Sequence, residues 1–115
     1  MEIHLERVQE AIVLRVSGDL RVWGKGRETE PLDVLRAEAP PLPCVILNLS
    51  GIHHIDSLGI ASLARVVIEC GKRDLGLRVV LPCGFPREVL KQVRIFDAWP
   101  QFQDEASALA VPAHS

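Results

Sequence analysis

Hydrophobic and polar positions follow two different periods along the chain, and the places where the period changes outline its elements. Residues 2–8 and 11–17 read as strands. In the second, Ile12, Leu14 and Val16 alternate with Val13, Arg15 and Ser17, the two-residue period of a strand with one better-buried face. Gln9-Glu10 is short enough to join the two as a hairpin, although it lacks the favoured Asn-Gly or Asp-Gly. Ser17-Gly18-Asp19 is expected to close the second strand. Residues 44–49 are apolar on both parities apart from Asn48, which predicts a central strand covered on both faces and interrupted at Ser50-Gly51. Residues 77–81 form the next strand, ended by Pro82, and residues 99–103 have room for a last short one.

The intervals carry the helical period. Pro31 stands where a missing N–H costs nothing in a first turn, Leu32, Val34 and Leu35 give a stripe, and the prolines from Pro40 to Pro43 stop it. The clearest helix is marked by Ile60, Leu63, Ala64, Val67 and Ile68 at i, i+3, i+4, i+7 and i+8, with Ser62, Arg65, Glu69 and Lys72 on its polar side. Ser57 stands before that stripe, where a hydroxyl can cap the first turn, and Gly71 or Gly76 can supply the stop. Pro86 opens a further helix with Val89, Leu90 and Val93 facing inward. Asp104 or Glu105 starts a terminal helix running to about residue 110. Residues 21–30, with Trp23 before Gly24-Lys25-Gly26, read as a loop. The predicted fold class is α/β: one domain over residues 1–115, its core within about 2–110, with a mixed sheet of four to five strands and about four helices.

Composition excludes several function classes. Thirteen Lys and Arg against fifteen Asp and Glu give a net charge of −2, with no basic excess for nucleic acid. Aromatic residues able to stack on bases are few, and all but Trp23 fall after position 84. No apolar run approaches the roughly 18 residues that span a bilayer. The N-terminus has no basic start followed by an apolar run, so no signal peptide is expected. Cys44, Cys70 and Cys83 are odd in number and lack CxxC spacing, which predicts buried reduced thiols in a cytoplasmic protein.

Candidate chemistry can then be weighed group by group. His53, His54 and Asp56 are close, but neighbours on an extended segment point to opposite faces, so at most two converge where a catalytic zinc needs about three protein ligands. His4 and His114 have no companion spacing, and no metal site is expected. Ser57 with His53 or His54 and Asp56 has the residue types of a hydrolase triad. Three groups within one turn rarely reach triad geometry, however, and Ile55 stands where a GxSxG elbow needs glycine. Gly24-Lys25-Gly26 is too short to cradle a phosphate, and neither GxxxxGK[ST] nor GxGxxG occurs. No cofactor is expected.

Asp56-Ser57-Leu58-Gly59-Ile60 remains, at a junction of loop and helix. Such a position favours Ser and Asp simply as caps. The same hydroxyl is also well placed to be offered to a protein kinase. A phosphate there would meet unpaired N–H groups and the positive end of the helix dipole, so the fold should tolerate it while a docked partner meets added negative charge.

The run from Asn48 to Ile60, Asn48-Leu49-Ser50-Gly51-Ile52-His53-His54-Ile55-Asp56-Ser57-Leu58-Gly59-Ile60, resembles the signature of STAS domains, named for sulfate transporters and anti-sigma factor antagonists. Val16-Ser17-Gly18-Asp19-Leu20, Leu77-Arg78-Val79-Val80 and Ile95-Phe96-Asp97 are also similar to family segments, so the resemblance covers nearly the whole chain. It implies an anti-sigma factor antagonist, whose unphosphorylated form binds an anti-sigma factor and frees a sigma factor for transcription in a bacterium. The partner it implies is an anti-sigma factor that doubles as a serine kinase of the histidine-kinase-like ATPase type, with a phosphatase reversing the mark. Carried over, Ser57 matches the phosphoacceptor, Asp56 the acidic residue before it and Gly59 the close-packing glycine, while Leu58 stands where phosphorylated members commonly carry Ser or Thr. Asp56, Ser57, Leu58 and Gly59 are the implied partner-binding residues, in a kinase substrate and not an enzyme. The alternative is a phosphorylation-independent STAS scaffold, or a subunit of a lipid-transport ABC or stress-signalling complex, in which Ser57 is only a helix cap.

Overall fold

The structure, a computed structural model, describes residues 2–20, 31–37 and 43–111. The loop expected at 21–30, Pro40, Pro41 and His114 lie outside the described residues. The chain forms β1 (Glu2–Val8), β2 (Ala11–Leu20), α1 (Pro31–Ala37), β3 (Cys44–Ile55), α2 (Ser57–Lys72), β4 (Gly76–Val80), α3 (Phe85–Val93), β5 (Gln101–Phe102) and α4 (Glu105–Ala110). The sheet follows chain order, β1 to β5, with β1 antiparallel to β2 and every later pair parallel. The α/β class, the five-stranded mixed sheet and the four helices match the sequence expectation. Gln9 carries the hairpin turn in the left-handed region, at φ 55°, without help from glycine.

Parallel neighbours need a crossover, and α2 and α3 supply it for the pairs β3–β4 and β4–β5. Residues of α1, α2 and α3 share one apolar cluster with Leu14, Val45, Leu47, Leu77 and Val79 of the sheet. A smaller cluster on the other face gathers Val13, Ile46 and Val80 under Ala108 of α4. Cys44, Val45, Ile46 and Leu47 are all buried, as a strand covered on both sides requires.

Several expectations need correction. Ser17-Gly18-Asp19 does not close β2, and Ser50-Gly51 does not interrupt β3; the two strands stay paired from Ser17↔Gly51 to Leu20↔Ile55. Two register shifts make β3 spend two more residues than β2 over that stretch, the effect of bulges, which bend and twist a strand. Gly51 is required there, since a Cβ would stand 2.7 Å from the Cβ of Ser17. The buried face of α2 is Gly59, Ser62, Leu63, Val66 and Cys70, not the stripe through Ile68, which is 56% exposed. Small residues at 59 and 62 let the helix come close to its neighbours, and hydrophobicity alone does not mark them. Ser62, expected on the polar side, is fully buried.

Ser57 is not the cap of α2. Asp56 is: its Oδ1 accepts the Gly59 N–H at 2.8 Å. Neither Gly71 nor Gly76 ends the helix; Asp74 takes the left-handed conformation at φ 55°. The Asp74 N–H then donates to Gly71 O and the Leu75 N–H to Cys70 O, a Schellman closure with Leu75 buried beside it. In α3, Val93 is 41% exposed and not inward, while Leu90 is buried. The buried-thiol expectation holds for Cys44 and Cys70 and fails for Cys83, which is exposed at the exit of β4. Burial raises the Cys44 thiol and pushes that of Cys70 up to about 11, so both stay protonated at neutral pH.

Candidate functional site

The bulged half of β3 delivers Asp56 and Ser57 to the carboxyl end of the sheet, where α2 begins. The first intrahelical bond runs from the Ile60 N–H to Asp56 O at 2.9 Å, and the Gly59 N–H is held by the Asp56 carboxylate. The N–H groups of Ser57 and Leu58 precede any intrahelical acceptor, and the first turn of α2 carries no acidic side chain. The hydroxyl of Ser57 therefore sits on an exposed residue beside a cluster of N–H donors, with its capping role already taken by Asp56. A monoanionic or dianionic group on that oxygen would be attracted by the helix end.

Of the residues predicted for the site, Asp56, Ser57, Leu58 and Gly59 are brought together on the first turn of α2, but they divide by exposure. Ser57 is exposed and Leu58 is 51% exposed, whereas Gly59 is buried and Asp56 half-buried in its capping role. His54, on the strand before the turn, pairs with Asp19 of β2 through its Nδ1 at 2.8 Å, so it does not serve as a base for Ser57. Among the described residues no group of three His, Cys, Asp or Glu has the arrangement of a metal site.

One residue escaped the sequence reading altogether. Phe85, at the start of α3 after β4, is 77% exposed and lies at the same carboxyl edge of the sheet as Leu58. Its neighbour Pro86 signalled the helix, but nothing in the local pattern tells that the phenyl ring faces water.

A second polar cluster lies on the α4 side of the sheet and is closed upon itself. Arg15 of β2 grips Glu105 of α4 in a fork, Nε to Oε1 at 2.9 Å and Nη2 to Oε2 at 2.8 Å, while its Nη1 donates to Glu6 at 2.8 Å. Asn48 donates to the same Glu105 Oε1 at 2.8 Å and accepts from the backbone N–H and hydroxyl of Ser50. The Arg15 guanidinium holds the Glu105 carboxyl below the usual range, and the two carboxylates raise the pKa of Arg15. Asn48, the one polar residue in the apolar run 44–49 of β3, is thus explained as a partner for Glu105.

The family model of the STAS domain matches residues 2–108. No curated protein sequence matches the chain significantly. Among solved structures, an anti-sigma factor antagonist from Mycobacterium paratuberculosis is similar at a TM-score of 0.71 and 21% identity, over 94% of this chain and 90% of that one. The anti-sigma factor antagonist SpoIIAA in its unphosphorylated form is similar at a TM-score of 0.64 and 16% identity, over 94% of each chain. At such identities the likeness carries the fold.

Proposed function

The chain belongs to the STAS domain family, and from that premise we propose that it is an anti-sigma factor antagonist switched off by phosphorylation of Ser57. It docks in the unphosphorylated form on an anti-sigma factor that is also a serine kinase of the histidine-kinase-like ATPase type. Phosphate transferred from that kinase's ATP to the Ser57 hydroxyl ends the association, and a phosphatase restores it. The protein is then a substrate in the cytoplasm of a bacterium and performs no chemistry of its own.

The observation that carries this proposal is the division of labour at the turn: Asp56 caps α2, so Ser57 is exposed and its hydroxyl is free of the capping role. Structural likeness to two anti-sigma factor antagonists supports the choice of partner class. Leu58 and Phe85 supply exposed apolar contacts at the same edge of the sheet, the chemistry of the well-packed anchors that dominate protein interfaces. A phosphoserine brings close to two negative charges onto that edge. The helix end offsets them in the free protein, but a partner packed over Leu58 has to bury them.

The test is incubation with the candidate kinase and ATP. The expected result is one phosphate on Ser57 by peptide mass spectrometry, none on Ser57→Ala, and release of the wild-type complex alone. Persistent binding with Ser57 unmodified would leave the phosphorylation-independent scaffold as the better account. Leu58→Ser is expected to weaken the complex about tenfold without changing the fold, as loss of an interface anchor does.

A further inference from the structure

A cavity of about 650 Å³ opens at the carboxyl ends of β4 and β5, walled by α3 on one side and the β5–α4 connection on the other. Both its size and its place suit a small-molecule site, since open α/β sheets bind ligands beyond the carboxyl ends of their strands. Arg87 and Lys91, one turn apart on α3, both line it. The Nε of Arg87 is buried and has no hydrogen-bond partner among the described residues. A buried donor left without an acceptor is costly, and a rotation of the Arg87 side chain toward the cavity would present it to an acceptor placed there. Asp104 is the one acidic residue in the lining, and its carboxylate is already committed, accepting the Ser107 N–H at 2.7 Å as the cap of α4. Gln101 is also engaged, donating from Nε2 to Phe96 O at 3.1 Å. Two cations against one anion leave the cavity with a single net positive charge. Leu81, Pro82 and Phe102 make the rest of its wall apolar.

We propose that this cavity binds a small organic monocarboxylate, its carboxylate on Arg87 and Lys91 and its apolar body against Leu81, Pro82 and Phe102. A guanidinium fork matches a planar carboxylate, and the single net charge favours a monoanion over a dianion. The proposal is independent of phosphorylation at Ser57.

Benzoate is the probe, titrated into the whole isotope-labelled chain and followed by NMR, with benzamide as the neutral isostere and phenyl phosphate as the dianion. The expected result is saturable shifts centred on the Arg87 Nε–H and on the side chain of Gln103, which also lines the cavity, with a dissociation constant of about 1 mM or tighter. Benzamide should bind at least about tenfold more weakly, as should benzoate to Lys91→Gln, because a charge-assisted contact is lost in each case. Lys91 is exposed, so that variant keeps its fold and the test does not depend on Arg87→Gln, in which saturable binding should vanish. Shifts that do not saturate, equal affinity for benzamide, or a Lys91→Gln protein that binds benzoate unchanged would overturn the site. Tighter binding of phenyl phosphate than of benzoate would overturn the assignment to monoanions.

Discussion

Two polar clusters lie at opposite stretches of β3, and they differ in whether their hydrogen bonds are complete. Around Asn48, Arg15, Glu6 and Glu105 donors meet acceptors from four elements, and the result joins α4 to the sheet. By residue type this cluster, with its Arg, Glu and Asn, looks more like chemistry than the turn does. Around Ser57, among the described residues, the side-chain bond is the cap that the Asp56 carboxylate accepts from the Gly59 N–H, and Ser57 beside it is exposed with no capping role. A filled network stabilises; an open valence at an exposed helix end is what another protein can use. The proposed function thus rests on the poorer of the two clusters.

The comparison can be broken at its hinge, the bulged half of β3 that separates the clusters. Gly51→Ala forces a Cβ against the Cβ of Ser17, and overpacking of this kind is expected to cost about 1–3 kcal/mol in urea denaturation. Ser17→Gly removes the clashing atom, so the double variant should lose clearly less than the sum of the two single changes. Equal additivity would show that the approach of the two strands is not the constraint.

The closed cluster should respond next most strongly. Glu105→Gln removes the charge from the fork with Arg15 and is expected to cost roughly 1–2 kcal/mol at neutral pH. Glu105 titrates lower in the folded chain than in the unfolded one, so on acidification the unfolded form takes up the proton first. Its stabilisation is complete above the ordinary value of 4.5 and fades as pH falls below that through the folded value. The stability gap between wild type and Glu105→Gln should shrink over that window and stay constant above it. A gap that widened in acid would show that the fork does not hold the ionised carboxylate.

At the open cluster the effects on stability are smaller and unequal. Asp56→Ala removes the cap of α2 and is expected to cost about 1 kcal/mol. Ser57→Ala should change stability by no more than about 0.5 kcal/mol, as at an ordinary exposed position. Thermal melts of the two variants side by side give the answer, and the reverse order would return the capping role to Ser57.

Much of the fold was legible because its cues are local. The two-residue period marked β2, Pro31 marked the start of α1, and the apolar run on both parities marked the centre of the sheet. What could not be read depends on distant partners. β3 continues through Ser50-Gly51 because β2 continues beside it, and the buried stripe of α2 is set by the small residues Gly59 and Ser62. Asp74 ends α2 through a conformation that no residue-type rule assigns to aspartate in preference to the nearby glycines. The partners Arg15 and Glu105 are 90 residues apart in sequence. At the turn, the Asp-Ser pair was visible, but which of the two capped the helix was settled by geometry, and the exposure of Phe85 had no sequence signal at all.

The most direct measurement is calorimetric titration of the anti-sigma kinase, without ATP, with wild type, Ser57→Asn and Ser57→Asp. Negative charge at the hydroxyl position is predicted to weaken the complex about tenfold or more, because a charge without a partner must be buried. The neutral Asn variant, similar in size, should bind nearly as wild type does. If Ser57→Asp binds as tightly as wild type, or if Asn weakens the complex as much as Asp, charge at this turn is not the switch.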